Sequence, residues 1–186
     1  MKICTATLVS TTAYSQSRMH DTPKLEKERP DEWELRTWRN KAHVEDGVIY
    51  IPPMSFKQGL DTAAKRLGLQ IPGKGKATYT KHFLSGVLVM DKLSTGVAID
   101  DVAGEWINAN SDGVRGSGKR VKRCFPTIPS WQGKIDFYIL DETIDKKTFE
   151  RVLQEAGSFI GIGRFRPENG GFYGRYSVEA TDWREE

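Results

Sequence analysis

The sequence predicts an α+β fold in which strands and helices follow the order βαββαβ, with two long insertions. Short runs of alternating apolar and polar residues recur along the 186-residue chain, as half-buried strands require. Two segments place apolar residues at helical spacing and are followed by a glycine that can end a helix. A glycine-rich segment, residues 158–178, separates the second of these segments from the last strand. Strands and helices mixed in this way predict one domain of two packed layers.

The first insertion follows a predicted opening strand, Lys2–Ser10. The polar residues after it carry charges of both signs, and loops of such length are usually functional or disordered. Residues 32–38 (EWELRTW) alternate and predict a strand, which a turn at residues 45–47 joins to a hairpin partner, Val48–Ile51. We therefore predict that residues 11–50 form the first insertion.

The first predicted helix follows two prolines, Pro52 and Pro53, which stop the preceding strand. Ser55 is a suitable N-cap, and Gly68 is a suitable end. The apolar residues at helical spacing are Phe56, Leu60, Ala63, Ala64 and Leu67. Because the N-terminal end of a helix is positive, this end is a natural place for a phosphate group.

The second insertion is predicted over residues 70–131. It begins with a basic loop, residues 73–82, and contains predicted strands at residues 86–90 and 104–108. It also contains a basic arm, residues 111–123, whose small, flexible and basic residues resemble a mobile arm that closes over a polyanion. The cations of this arm are Arg115, Lys119, Arg120, Lys122 and Arg123. The alternative is a solvated loop that happens to be basic.

The C-terminal third supplies the remaining elements. Residues 134–140 (KIDFYIL) alternate and predict a strand. Asp145 is a good N-cap for a second helix, residues 146–156, and Gly157 is predicted to end it. The last strand is predicted at residues 172–180. The complete order is that of a ferredoxin-like or RRM-like sheet, which covers one face with helices and leaves the other open to nucleic acid.

The glycine-rich segment combines three residue types that suit contact with a nucleic-acid backbone. They are Gly161, Gly163, Gly170, Gly171 and Gly174; Arg164, Arg166 and Arg175; and Phe159, Phe165, Phe172, Tyr173 and Tyr176. Glycine permits close approach and positive φ, arginine offers a planar charged fork to phosphate, and aromatic faces accept bases. The alternative is an ordinary hairpin turn before a strand. The two interpretations are compatible, because a hairpin loop can carry a binding site.

Composition limits the class of protein. Hydrophobic residues make up 38% and charged residues 28% of the chain, as in soluble globular proteins, and the net charge of +3 is too modest to establish a polyanion partner by itself. The two cysteines, Cys4 and Cys124, form neither a disulfide framework nor a metal-ligand cluster, which fits a reducing cytosol. No apolar run approaches the roughly 18 residues of a membrane span, and no signal core opens the chain. We expect a cytoplasmic protein without cofactor or metal.

Two segments resemble the CRISPR-associated RAMP superfamily. The pattern Gly-Ile-Gly-Arg-Phe-Arg-Pro…Gly-Gly-Phe-Tyr-Gly-Arg-Tyr of residues 161–176 is similar to the superfamily's glycine-rich loop. Residues 48–60 (VIYIPPMSFKQGL) are similar to its strand-to-helix segment. Together the two motifs cover roughly a fifth of the chain and best match the crRNA-binding backbone subunit. The resemblance implies a single RAMP-like domain, residues 1–186, with an RRM-like palm and finger-like and thumb-like insertions.

The chain departs from that family pattern in two respects. It is short for a CRISPR backbone subunit, and Gln58-Gly59 opens the second turn of the first helix without the family's arginine. We therefore expect a minimal relative, such as a phage-encoded RAMP-like protein. The resemblance implies sequence-independent, non-catalytic binding of single-stranded RNA or DNA along its sugar-phosphate backbone, by subunits that repeat in a filament.

The predicted nucleic-acid contacts lie in the segments just described. Within the glycine-rich segment they are Gly161, Gly163, Arg164, Phe165, Arg166, Gly170, Gly171 and Arg175, with Phe172 and Tyr173 as further stacking candidates. Outside it they are Lys57, Lys74, Lys76, Tyr79, Lys81, Arg115, Lys119, Arg120, Lys122 and Arg123. Any one aromatic residue is more often core than stacking platform. The expected partners are single-stranded nucleic acid and further copies of the chain, and no membrane.

Two other functions stay open at this point. RAMP relatives include metal-independent endoribonucleases, whose chemistry needs a general acid or base near neutral pH. Histidine is the usual residue for that role, and His20 and His82 are the candidates. The other function is protein interaction, for instance an anti-CRISPR mimic of a backbone subunit that disturbs assembly.

Overall fold

The computed structural model describes residues 1–111, 114, 116 and 118–185. The strands are β1 (Lys2–Ser10), β2 (Tyr14–Ser15), β3 (Val44–Glu45), β4 (Val48–Ile51), β5 (Val87–Val89), β6 (Leu93–Ala98), β7 (Ala103–Asn110), β8 (Arg120–Ile128), β9 (Gln132–Ile139) and β10 (Tyr176–Glu185). The helices are α1 (Pro30–Thr37), α2 (Pro53–Leu67), α3 (Thr80–Gly86) and α4 (Lys146–Glu155). Helices and antiparallel strands are thus combined in one chain, and the predicted α+β class is confirmed.

The palm is a four-stranded antiparallel sheet in the order β10-β1-β9-β5. These strands are the fourth, first, third and second palm strands along the chain, which is the arrangement of a ferredoxin-like βαββαβ sheet. β1 is central, because it pairs with β10 on one side and β9 on the other. β5 lies inside residues 70–131, the range predicted for the second insertion, so that range also supplies an edge strand of the palm.

One face of the palm is covered by α2 and α4. Cys4, Ala6 and Leu8 alternate along β1 and are buried in the core, because alternate residues of a strand point to the same face. Phe149 of α4 is fully buried, and its ring centroid lies 5.4 Å from that of Phe137 in β9. Burial of one such ring stabilises the fold by about 1.5–3 kcal/mol.

Helix α2 begins earlier than predicted, with Pro52 as its N-cap in place of Ser55. Pro53 fits the first helical position because the N–H that proline lacks would have no partner inside the helix. Ser55 instead lies in the first turn, where its N–H donates to the Pro52 carbonyl at 3.0 Å. Gly68 ends the helix at a φ of +54°, as predicted. Gly59 is buried, and its missing side chain faces the Gly161 carbonyl oxygen.

Helix α4 is capped as predicted, since the Asp145 carboxylate accepts the Thr148 N–H at 2.9 Å. The predicted end at Gly157 is wrong, because a π-helical turn, Ala156–Ile160, continues the helix. Gly157 is required for packing, as a Cβ there would overlap the Tyr176 carbonyl oxygen. The last strand begins at Tyr176 and not at residue 172.

The predicted strand at residues 32–38 is wrong, since these residues lie in α1 and the 3₁₀ turn Trp38–Lys41. Pro30 opens α1, and the Glu32 carboxylate accepts the Arg29 N–H at 2.9 Å, which favours a helix start. The prediction failed because large side chains alternate with polar ones in this segment, as they do in a strand. Strand β4 therefore pairs with β3 and β6.

In the second insertion β7 and β8 pair as a long antiparallel hairpin, which we call the arm. The short strand β2 pairs with the inner end of β8 and completes a three-stranded sheet. The predicted strand at residues 104–108 lies within β7, whereas β8, β6 and α3 were not predicted. Lys119 and Arg120 lie at the outer end of the arm. Arg115, a predicted contact, lies outside the residues that the structure describes.

A buried ion cluster joins α1 to the arm. The fully buried carboxylate of Glu34 pairs with the Lys41 ammonium, accepts the Arg123 guanidinium at 3.0 Å and accepts the Cys124 N–H at 2.7 Å. Burial alone would raise the pKa of Glu34, but these hydrogen bonds outweigh it and hold that pKa below its usual value. The first insertion is thereby locked against the base of the arm.

Glu34→Gln is expected to lower the free energy of unfolding at pH 7 by about 1–3 kcal/mol, because the Lys41 ammonium loses its anionic partner. The pKa of Glu34 is lower in the folded state than its value near 4.5 in the unfolded state, so the ionised carboxylate stabilises the fold above about pH 4.5. This stabilisation is lost as the pH falls through the folded-state pKa. The difference between wild type and variant should therefore shrink below about pH 4.5 in urea titrations. An equal difference at pH 3 and pH 7 would contradict this assignment.

Candidate nucleic-acid interface

A cavity of about 230 Å³ separates the start of α2 from the glycine-rich segment. One wall consists of Pro52, Ser55 and Gln58 from the strand-to-helix segment, and the opposite wall consists of residues 160–164, Arg166 and Glu168. The two segments that carry the family resemblance therefore face each other across one site. Ser55, Gln58 and Arg166 bring polar side chains to these walls, and polar groups of this kind can contact a phosphate chain.

The glycine-rich segment reaches this position because it hydrogen-bonds to the residues after β1. The Arg164 N–H donates to the Ser15 carbonyl at 2.8 Å, and the Gly174 N–H donates to the Ala13 carbonyl at 2.7 Å. At Gly163, with φ +76°, a Cβ would overlap Ser15 and Tyr14. The segment is consequently not a simple hairpin turn, and glycine here is required by close backbone packing.

A second cavity, of about 340 Å³, adjoins the first because both are lined by Arg18 and His43. Its other walls include Arg39, Asn40 and Tyr50 of the first insertion. We call the two cavities together the central groove. The first insertion thus folds back over the start of α2 and extends the site.

The central groove has a positive lining. Arg18 and Arg39 are exposed, and neither guanidinium forms an ion pair with another residue that the structure describes. The Arg39 guanidinium lies over the Trp38 ring, 4.4 Å from its centroid. Arg166 is also present but pairs with Glu168 at 2.9 Å. Two arginines are therefore free to meet an anionic ligand, whereas Arg166 and Arg164 are held by carboxylates.

His43 lies where the two cavities meet. Its ring is tilted against that of Tyr50, with the centroids 5.7 Å apart, and forms no hydrogen bond with any described residue. Burial, and to a smaller degree the nearby Arg18 charge, lower the pKa of the His43 imidazole. His43 is therefore neutral at pH 7 and can accept a hydrogen bond.

Three predicted contacts have their polar groups engaged inside the protein. The Arg164 guanidinium pairs with Glu105, lies 4.3 Å from the Phe125 ring centroid, and leaves only 13% of its side chain exposed. Lys57 pairs with Asp61 and is buried, since its ammonium also donates to a carbonyl of α3 at 2.9 Å. Tyr79 is a core residue. We therefore correct the prediction that these three residues contact nucleic acid. Arg164 and Lys57 form ion pairs within the protein, and Tyr79 packs in the core.

Other predicted contacts are accessible but line neither cavity of the central groove. Lys74, Lys76 and Lys81 are exposed on the loop around the start of α3. The Arg175 guanidinium donates to the Ser158 carbonyl at 3.0 Å. The exposed cations of the arm are Lys119, Arg120 and Lys122, whereas Arg123 joins the Glu34 cluster.

The aromatic residues of the glycine-rich segment form a small exposed cluster. Phe165 and Phe172 are about half exposed, and their rings meet edge to face at 5.8 Å between centroids. Phe165 adopts a φ of +54°, and Gly171 lets the chain pass close to its carbonyl. Gly170 sits in an open turn at φ +78°. These two rings remain accessible for stacking, whereas Tyr173 is buried against Arg164.

Neither predicted histidine lies in the central groove. His20 stacks on Trp33 at 5.3 Å between centroids, and its Nδ1 contacts the Thr22 hydroxyl at 3.0 Å. His82 Nδ1 lies 2.6 Å from the Asp141 carboxylate beside α3. The groove histidine is His43. Sequence reasoning missed it, and also Arg18 and Arg39, because no periodicity shows where a long insertion folds back.

No helix in the part of the chain that the structure describes is both long and apolar enough to cross a membrane. Within residues 1–111, 114, 116 and 118–185, no three His, Cys, Asp or Glu side chains are grouped so that they could hold a metal ion.

Comparison with protein-family models and with curated proteins gives no match. Among solved structures, a chain of the cryo-EM structure of the Type III-B Cmr-beta bound to cognate target RNA aligns with a TM-score of 0.52 and 12% identity over 99% of this chain. The present chain spans 61% of that chain's length. Cmr6 from Pyrococcus furiosus aligns with a TM-score of 0.49 and 15% identity, covering 95% of this chain and 97% of its own.

The Cmr-beta comparison agrees with the architecture at the level of fold. The Cmr-beta alignment extends over nearly the whole chain, insertions included. The palm order β10-β1-β9-β5 is that of the ferredoxin-like sheet which the sequence predicted. The two segments that carry the sequence resemblance meet across one groove. The chain therefore shares its fold with that chain of the Cmr-beta structure, and its palm has the RRM-like strand order.

Proposed function

We propose that this chain binds single-stranded nucleic acid along its sugar-phosphate backbone in the central groove, as a non-catalytic subunit of a CRISPR-like ribonucleoprotein. The observation that carries the proposal is the pair of exposed arginines, Arg18 and Arg39, without ion-pair partners among the described residues, in two adjoining cavities. A guanidinium presents a fork that matches two phosphate oxygens. Two such groups along one groove suit successive phosphates better than an isolated anion.

The rest of the groove can add contacts to the sugar-phosphate backbone. Ser55, Gln58 and Asn40 line it with groups that can donate hydrogen bonds to phosphate and sugar oxygens. The start of α2 adds the positive end of a helix dipole. The Cmr-beta structure that shares the fold is bound to cognate target RNA, and we propose a ligand of the same class for this groove. We therefore propose binding that does not depend on base sequence.

The proposed binding is tested with fluorescently labelled single-stranded RNA and DNA of mixed sequence in an anisotropy titration at several salt concentrations. Two to three neutralised phosphates predict a slope of log K against log salt of about −1.4 to −2, since each contributes about 0.7 for a single strand. Strands of unrelated sequence should bind with similar affinity. No binding at low salt would refute the proposal and favour a protein-interaction role.

We further propose that subunits repeat along the strand as a filament. Arg18 and Arg39 are exposed in the central groove, so a long strand bound there can continue to a second subunit. Sedimentation velocity with strands of increasing length should show stepwise growth of the complex. A complex that stays at one protein copy on long strands would contradict the filament.

Glu168→Gln is expected to raise the affinity for single strands about twofold to fivefold, because the Glu168 carboxylate holds Arg166 at 2.9 Å and competes with phosphate. Glu155→Gln is the matched control, since it also breaks a surface ion pair, with Arg66, outside the central groove. The control should leave affinity nearly unchanged. Equal effects of the two variants would mean that only net charge matters.

A second candidate function, metal-independent endoribonuclease activity, rests on His43. A neutral imidazole between two cavities with arginines suits a general base for a ribose 2′-hydroxyl, with phosphate held nearby. The test is incubation of end-labelled RNA in EDTA, with His43→Ala compared with wild type. Cleavage that disappears in the variant while binding persists would establish this function, and intact RNA with wild type would exclude it.

A further inference from the structure

A separate groove of about 410 Å³ lies between α1 and the arm. Asp31 and Leu35 line it from α1, and Trp106, Asn108 and Lys122 line it from the arm. Trp106 is 46% exposed, and Leu35 is 63% exposed. We call this site the arm groove. It shares no lining residue with the central groove.

We propose that the arm groove binds an unpaired nucleobase of a single strand, stacked on the Trp106 indole. The inference rests on the proposed function and adds to it a site for a base, whereas the central groove holds phosphates. Tryptophan offers the largest aromatic face among the side chains, and stacking on aromatic faces is how proteins hold single strands without reading their sequence.

Strand register explains why the indole is presented to solvent. Trp106 pairs with Cys124, and the next pair on the same face, two residues further out, is Asn108 with Lys122. Cys124 is covered by the Glu34 cluster and is fully buried. Trp106 is thus the position on this face where the cover from the first insertion ends. Asn108 and Lys122 continue the face outward, where a strand can approach.

Charge favours nucleic acid as the occupant. The exposed cations on and beside this face, Lys119, Arg120 and Lys122, form no ion pair with other described residues. The carboxylate at the groove, that of Asp31, already pairs with Arg29. A base stacked on Trp106 would therefore have cations within reach of its flanking phosphates.

The apolar surface also fits a base better than a protein partner. It consists of one indole, one leucine and one isoleucine, Ile107, whereas the apolar centre of a protein interface is usually several hundred Å². The cavity exceeds the volume of a single nucleobase, and the Asn108 amide can donate to or accept from a base edge. The site can therefore admit a flat aromatic ring beside the indole.

The test compares intact single strands with strands of the same length that carry abasic sugars throughout. Trp106→Ala should weaken binding of the intact strand by about fivefold to a hundredfold and leave binding of the abasic strand unchanged. Trp106→Phe should retain most of the affinity. Phe159→Ala is the control, since it removes an exposed aromatic ring that packs on Arg66 outside both grooves. Circular dichroism melts establish that each variant is folded.

The outcomes separate this inference from the proposed function. Equal binding of intact strands by wild type and Trp106→Ala would overturn the base site, as would an equal loss on intact and abasic strands. A variant that loses only self-association would show a protein contact and would overturn it too. The proposed function is tested separately, because alanine at Arg18 and Arg39 should weaken both kinds of strand.

Discussion

Gly174→Ala is expected to lower the free energy of unfolding by about 2–5 kcal/mol, a large fraction of the roughly 5–15 kcal/mol of a typical domain. Gly174 has a φ of +77°, where an alanine is strained by about 1–2 kcal/mol. Its Cβ would also overlap the Ile162 carbonyl oxygen, which is backbone and cannot swing away, at a further cost of about 1–3 kcal/mol. The measurement is a urea titration followed by circular dichroism.

Gly170→Ala is the matched control for that change. Gly170 has nearly the same φ, +78°, but an added Cβ would meet nothing within 4 Å. Only the conformational strain applies, so a loss of about 1–2 kcal/mol is expected. The difference between the two variants isolates the close approach of the backbone. Equal losses would show that the glycine-rich segment is not packed as described.

Replacing Arg18 and Arg39 together by alanine is expected to lower the affinity for single strands about tenfold to a hundredfold. Both side chains are exposed in the central groove without a carboxylate partner among the described residues, so their loss should leave the fold intact. The salt slope should also fall by about 1.4, because two phosphate contacts disappear. Anisotropy titrations at three salt concentrations provide both quantities.

The control for the double variant is Arg151→Ala combined with Lys147→Ala on α4. Both residues are exposed on the helical layer and line neither cavity of the central groove. This control removes the same charge as the double groove variant. If it weakened binding as much, general electrostatic attraction and not the central groove would account for the affinity.

Sequence patterns predicted the palm well because its elements obey local rules. The alternation in Lys2–Ser10, the glycine after α2 and the aspartate cap of α4 each report burial or a chain end directly. The same patterns located the two segments that resemble the family, and in the structure these segments face each other across one cavity. Much of the fold that positions the site was therefore predictable.

The insertions were predicted poorly because their structure is decided by distant contacts. Large and polar side chains alternate along residues 32–38, as they do in a strand. The segment nevertheless forms most of α1, in which Glu34 and Thr37 are the buried residues. The presence of an arginine in the sequence also did not show whether it binds a ligand or supports the fold. Arg164 forms an ion pair with Glu105, whereas Arg18 has no such partner among the described residues and can meet a ligand. Such distinctions depend on which charges the folded chain brings together, and no short motif records that.

The most direct test of binding in the central groove is photocrosslinking. Single-stranded RNA containing 4-thiouridine is bound to the wild-type protein, irradiated and digested, and the crosslinked peptides are identified by mass spectrometry. The structure predicts crosslinks in peptides containing residues 17–18, 39–43 and 160–168, which line the groove. Crosslinks confined to α4 or to the outer strand β10, with none in those peptides, would contradict the proposed groove.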